Sequence, residues 1–222
     1  MKKAFIFDMD GVIIDSEPLW KKAMIGILEK YGLTLSETKC AETTGMRILE
    51  VVTLWNNRLT FTNDVAAVAN EIEDALCILI KKEGRKMPGF DSLISLLSKK
   101  NILIALATSS SPKVINCVLD SLSIRNYFKQ VQSAHSLDFG KPHPQVFLET
   151  ARALDISPES CVVVEDSIHG VIAARAAKMK VIAIPFPIPE NPSKFGIAHY
   201  TLSSLNDITP ALLDKILCQN EI

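Results

Sequence analysis

The chain has 222 residues, 48% of them hydrophobic and 22% charged, with only 9 Gly and 11 Pro, a composition that folds around a core and excludes disordered and collagen-like chains. Lys and Arg number 24 against 25 Asp and Glu, a net charge of −1, so no basic field exists to attract nucleic acid or an anionic membrane surface. The strongest apolar runs, at 102–107 and 181–188, fall short of the roughly 18–20 residues that span a bilayer.

The opening Lys2-Lys3-Ala4-Phe5-Ile6-Phe7 has the basic start of a secretory signal, but Asp8 and Asp10 interrupt the apolar run before it reaches signal length. Residues 4–7 are predicted as a first strand. The stretch 16–86 then shows helical periodicity only. Leu19, Trp20, Met24, Ile27, Leu28 and Tyr31 recur at three- and four-residue steps, and Gly32 stands where a helix end takes a left-handed residue. Residues 46–59 and 63–82 read as further helices, the latter stopped at Gly84. A four-helix bundle is expected here, an all-helical cap domain over 16–86 inserted into a core made of 1–15 and 87–222.

From residue 90 onward, helical stretches (90–100, 112–122, 144–154, 168–178) alternate with short apolar runs (102–107, around Val131, 161–164, 181–184). Ser111 followed by Pro112 is an N-cap and first helical residue, and Ser167 caps the last helix. This alternation predicts the α/β class, a doubly wound parallel sheet of Rossmann type. The segment from Pro185 to Asn191, with three prolines, is expected to be an extended surface loop. Five cysteines (Cys40, Cys77, Cys117, Cys161, Cys218) are an odd number at wide spacing without a C-x-x-C pair. They read as buried free thiols of a reducing cytoplasm.

An open parallel sheet binds ligands beyond the carboxyl ends of its strands, and the residues standing there are Asp8 and Asp10, then Thr108, Ser109 and Ser110, then Lys141, then Glu165 and Asp166. Four carboxylates at one edge repel by several kcal/mol unless a divalent cation and a lysine offset them. Oxygen ligands of this kind suit Mg2+, whereas zinc would call for His or Cys.

Asp8-Met9-Asp10-Gly11-Val12 after a strand, Thr108 after the next, Lys141-Pro142, and Glu165-Asp166-Ser167 resemble, in order, the four motifs of the haloacid dehalogenase superfamily of phosphohydrolases. The helical insert after the first motif is similar to the cap of its β-phosphoglucomutase-like branch. Asp15-Ser16-Glu17-Pro18-Leu19-Trp20, Thr44-Gly45-Met46-Arg47 and Gly140-Lys141-Pro142-His143-Pro144-Gln145-Val146 look closest to sugar phosphatases acting on 2-deoxyglucose 6-phosphate and hexitol phosphates. The resemblance implies that Asp8 is the nucleophile, forming an aspartyl-phosphate, and that Asp10 is the general acid and base. It implies that Thr108, Ser109 and Lys141 neutralise the phosphoryl group. Mg2+ would be held by Asp8, the Asp10 backbone carbonyl and Asp166, while Glu165 orients the metal's waters or Lys141.

In the insert, Trp55 follows Val51, Val52 and Leu54 at helical spacing and reads as core, while Trp20 is open to stacking on a sugar. Arg47 and Glu17 read either as substrate contacts or as ordinary solvated residues. His169, one turn into the last helix, reads as a partly exposed helix residue and not as a base. The function expected is a Mg2+-dependent phosphatase for small phosphorylated sugars or sugar alcohols, monomeric or weakly oligomeric. A phosphorelay receiver-like module fits poorly, because it has no such insert. A haloalkanoate dehalogenase needs neither metal nor an acid two residues after the nucleophile. A β-phosphoglucomutase-type mutase differs only in handing the phosphoryl group back to a sugar. The branch that does so has a cap histidine and a lysine after the second motif, where this chain has Trp20 and Ser111-Pro112.

Overall fold

The structure, a computed structural model, describes residues 2–185 and 192–218. Six strands, β1 (Ala4–Phe7), β2 (Leu103–Thr108), β3 (Gln130–Ser133), β4 (Cys161–Glu165), β5 (Lys180–Ala183) and β6 (Tyr200–Thr201), form one sheet in the order β3-β2-β1-β4-β5-β6. Every pairing is parallel. The strand order reverses at β1, which lies between β2 and β4, so the crevice beyond the end of β1 is where ligands of such sheets bind.

The strands read as continuous apolar runs because both faces of the sheet are covered. Phe5 and Phe7 of β1 point into one core, with helices α5 (Phe90–Lys99) and α6 (Pro112–Ser121). Ala4 and Ile6 point into the other, with α7 (Gln145–Leu154) and α8 (Ile168–Ala176). That second core is rich in alanine: Ala105, Ala107, Ala173, Ala174 and Ala183 are all fully buried. Small side chains let helix and sheet approach closely.

Between β1 and α5 the regular elements are all helices: α1 (Glu17–Lys30), α2 (Glu37–Ala41), α3 (Ile48–Leu59) and α4 (Val65–Glu83). α1, α3 and α4 turn the stripe Leu19, Ile27, Leu28, Val51, Val52, Trp55, Val68, Ile72, Leu76 and Ile80 inward, and this stripe is continuous with the first core. Trp55 is 2% exposed, the core position its spacing predicted. The two chain crossings that join this bundle to the sheet run side by side. Ile14 pairs with Lys86, the Asp15 N–H donates to the Arg85 carbonyl at 3.0 Å, and the Met87 N–H donates to the Ile13 carbonyl at 2.8 Å.

Several boundaries differ from the sequence reading by a residue or two. β2 runs on to Thr108 and β4 to Glu165, since both residues keep their sheet pairing. α8 ends at Ala176, because Lys178 adopts φ 60. The short strand β6 and a last helix, α9 (Pro210–Cys218), were not anticipated. None of the five cysteines forms a disulfide, but only Cys40 and Cys161 are buried, and Cys218 is exposed. Of the proline-rich loop expected after β5, residues 186–191 lie outside the described residues.

Candidate active site

The end of β1 is held in the sheet one residue further, where the Asp8 N–H donates to the Val164 carbonyl at 3.0 Å. The chain then turns sharply, with the Ile13 N–H donating to the Met9 carbonyl at 2.9 Å. Gly11 makes that turn with φ +72, and a Cβ there would stand 2.1 Å from Asp166 Oδ2. Only glycine fits, both for the backbone and for the space. Asp8 and Asp166 thus sit at neighbouring strand ends, with Glu165 beneath them at 0% exposure.

Lys141 reaches this group from the loop before α7 and is 4% exposed. Its Nζ donates to Asp8 Oδ1 at 2.7 Å and to the Ala107 carbonyl at 3.3 Å, and it also bonds Glu165 Oε1. Burial works to discharge this ammonium, but Asp8 and Glu165 outweigh it and raise its pKa, so Lys141 stays protonated. Glu165 also accepts from the N–H and hydroxyl of Ser167. Glu165 is thereby committed to Lys141 and to the loop that begins α8.

The carboxylates outnumber this one cation. Burial, helped by Glu165 and Asp10 and opposed by Lys141, pushes the Asp8 carboxyl up to about 8. Asp166 is raised well above the usual range by burial, then by Glu165 and Asp8. Asp166 accepts no hydrogen bond among the described residues, although it is only 7% exposed. Oxygens of Asp8, Glu165 and Asp166 all lie within 4.8 Å of one another. An all-oxygen, electron-rich and underneutralised set of this kind fits a hard divalent cation such as Mg2+.

The Asp10 carboxylate stands apart from that cluster. Its Oδ1 accepts from Ser16 Oγ at 2.5 Å and Trp20 Nε1 at 2.9 Å, and its Oδ2 accepts from Ser110 Oγ at 2.7 Å. Thr108, 1% exposed, accepts from the Ser110 N–H at 3.2 Å. Ser109 Oγ crosses to the insert and donates to the Gly45 carbonyl at 2.8 Å. Ser111 and Ser167 cap α6 and α8 with their side chains, as predicted.

Asp8, Asp10, Thr108, Ser109, Lys141 and Asp166 line one cleft of about 670 Å3, mouth included. Its opposite wall comes from the helical insert: Glu17, Trp20, Lys21 and Met24 from one face of α1, with Thr43, Thr44 and Met46. Glu17 accepts from Thr44 Oγ1 at 3.3 Å, and burial followed by the Asp10 charge raises its pKa. Arg47 is not brought there. Its guanidinium bonds Glu50 and the Ala134 and Leu137 carbonyls, where the sequence left a substrate contact and a solvated residue both open. His169 is partly exposed, with Nδ1 3.2 Å from the Thr44 carbonyl. Lys21 has no counterpart among the residues singled out from the sequence, and Ser16, Thr44 and Ser110, which stood there only within longer stretches, take individual places at the site. Of the serine run 109–111 only Ser111 serves the helix cap.

Residues 5–184 match the haloacid dehalogenase-like hydrolase family. The chain belongs to that family. It is an enzyme of the hydrolase class. Hexitol phosphatase B of Escherichia coli (strain K12) is 37% identical over 208 residues, covering 93% of this chain and 94% of that protein. A fructose-1-phosphate phosphatase of the same organism is 31% identical over 182 residues, covering 81% and 94%. The solved β-phosphoglucomutase of Clostridium difficile shares the hydrolase's fold with a TM-score of 0.85, over 98% of this chain and 97% of that one, at 26% identity.

Proposed function

We propose that the protein is a Mg2+-dependent phosphatase that hydrolyses small sugar or sugar-alcohol phosphates through an aspartyl-phosphate on Asp8. The observation that carries this reading is the buried Lys141–Asp8 pair, 2.7 Å apart, at the mouth of an underneutralised carboxylate cluster. A phosphate dianion approaches a carboxylate only where its charge is offset. The substrate class is supported by the relatives named as phosphatases of hexitols and fructose 1-phosphate.

In this reading Asp8 attacks phosphorus, the bond to the leaving oxygen breaks, and Asp10 protonates that oxygen. Asp10 then takes a proton from water, whose oxygen attacks phosphorus and returns Asp8 as a carboxylate. Lys141 offsets charge on the transferring group, with hydroxyl and backbone donors of Thr108 and Ser109 beside it. Asp8 and Asp166 would hold Mg2+, with Glu165 behind them orienting Lys141. When bound, the ion supplies charge neutralisation for the carboxylates and the phosphoryl oxygens. Glu17 and Trp20 contact the alcohol portion from the bundle side. We place the boundaries of core and cap at 15/16 and 86/87, a division that the pairing of Ile14 with Lys86 supports.

Phosphate release from a panel of hexose, hexitol and pentose phosphates, with Mg2+ and with a chelator, tests the reading. Asp8→Asn should abolish turnover and leave the fold intact, since an amide is no nucleophile. Full activity in chelator, or more than a few per cent of activity in Asp8→Asn, refutes it. A β-phosphoglucomutase-type enzyme would instead interconvert glucose 1- and 6-phosphates, with little free phosphate released.

A further inference from the structure

Arg47 lies at the N-terminus of α3, and its guanidinium bonds three residues at once. Nε donates to Glu50 Oε1 at 2.8 Å, and a second nitrogen, NH2, bonds the same carboxylate. NH1 crosses from the insert to the core, donating to the Leu137 carbonyl at 2.8 Å and the Ala134 carbonyl at 3.3 Å. Both carbonyls belong to the stretch that runs from β3 to Lys141. The pair also packs close to Gly140, where a Cβ would stand 2.9 Å from Arg47 Nε and 3.2 Å from Glu50 Oε1. Gly140 immediately precedes Lys141, whose Nζ is the only cation bonded to Asp8 among the described residues.

We propose that Arg47 is a positioning residue that clamps the 134–140 stretch, and through it Lys141, when the helical insert is seated, and that it does not bind substrate. The geometry needs arginine. Only a planar fork presents donors to a carboxylate on one edge and to two carbonyls on another, and lysine offers a single point charge. The side chain is 17% exposed and Glu50 33%, so the pair is largely screened from water and each bond counts for more than a surface pair. The cleft takes Met46 and Ile48 on either side of Arg47, together with Glu17, Trp20, Lys21 and Met24 of α1, but Arg47 itself is not among its lining residues.

The proposal rests on the phosphatase reading for its kinetic consequence, but not for its structural one, and two measurements keep the two apart. In kinetics, Arg47→Ala should lower kcat about tenfold on both a hexitol phosphate and p-nitrophenyl phosphate, with KM for the former moved less than about threefold. Arg47→Lys should stay within about threefold of Arg47→Ala, because the charge is kept while the fork is lost. Gly140→Ala should reproduce the loss without altering Arg47, since its Cβ occupies the guanidinium's place. Loss confined to KM for the hexitol phosphate, with p-nitrophenyl phosphate unaffected, would make Arg47 a substrate ligand and overturn the proposal, and so would full rescue by lysine. In amide hydrogen exchange on the substrate-free protein, Arg47→Ala and Gly140→Ala should each speed exchange over 134–140. Unchanged exchange there overturns the clamp whatever the kinetics. A wild-type protein inactive on every ester would refute the phosphatase reading alone, and the exchange result would still judge the clamp.

Discussion

Asp166→Asn should make the metal-free protein more stable, against the usual direction for a change in a buried polar residue. Asp166 accepts no hydrogen bond among the described residues, and one of its oxygens lies within 4.8 Å of an oxygen of Asp8 and of Glu165. At that distance, with an effective dielectric constant of about 20, each like-charge pair costs about 3.5 kcal/mol. Proton uptake relieves part of this, as the raised pKa values of Asp8 and Asp166 indicate, and Lys141 offsets more. The net gain on removing one charge is therefore about 1 to 3 kcal/mol. For a chain of this length that corresponds to a rise in Tm of about 3 to 9 °C. Calorimetry in EDTA near neutral pH reads it. Mg2+ should raise the Tm of the wild type, since a cation held only by the folded state stabilises by mass action, and should have little effect on Asp166→Asn. An Asp166→Asn protein less stable than wild type in EDTA, or equally responsive to Mg2+, would show that the cluster is not the electrostatic burden its geometry implies.

The other consequences are smaller and more local. Trp20→Phe keeps the ring but deletes the Nε1 donor to Asp10, and kcat should fall about threefold to tenfold while the Tm stays within about 2 °C; steady-state kinetics and a melting curve read both, and unchanged kcat would mean that Ser16 and Ser110 suffice. Gly45→Ala should cost kcat/KM at least about tenfold, because its φ is +85 and a Cβ would stand 2.8 Å from Ser167 Oγ, wedging the insert off the core; normal kinetics would show that this contact yields. Asp74→Ala breaks the 2.7 Å pair with Lys113 that spans α4 and α6, yet both side chains are substantially exposed, so urea unfolding should register less than about 1 kcal/mol.

Most of the fold was legible because the strand signal is strong where both faces of a sheet are buried. An apolar run such as Phe5-Ile6-Phe7 ending in acids is hard to read otherwise, and glycine, proline and capping serines marked the helix limits. The elements that escaped had weak or unused signals. β6 is two residues long, too short for any periodicity. α2 is five residues, announced only by the Ser36 cap. In α9, by contrast, Pro210 at the start and Leu213 and Ile216 facing the core were readable and were passed over. At the site, the carboxylates were found because they stand at or just beyond strand ends, and Lys141 because it precedes a proline-led helix start. That Ser16 and Ser110 both bond Asp10 was not legible, because Asp10 is 6 and 100 residues away from them. The bonds of Arg47 were illegible for the same reason. Its partners Ala134 and Leu137 are 87 and 90 residues distant and are backbone carbonyls, which carry no side-chain signature.

The arrangement around Asp10 also decides which of its oxygens can move a proton. Oδ1 accepts two hydrogen bonds, from Ser16 and Trp20, while Oδ2 accepts one, from Ser110. A carboxylate oxygen offers about two lone-pair positions, so Oδ1 is filled and Oδ2 retains a site on the cleft side. Trp20 donates and cannot accept, so it fixes the carboxylate without offering the proton a way out into the bundle. Ser110 and Ser16 can rotate, but each is already committed to Asp10. In the proposed reaction the proton given to the leaving oxygen and the one taken from water therefore both travel on Oδ2. Trp20 belongs to the insert and Asp10 to the core, so this alignment exists only with the insert seated. Seating thereby links the availability of the acid to the exclusion of bulk water from the aspartyl-phosphate.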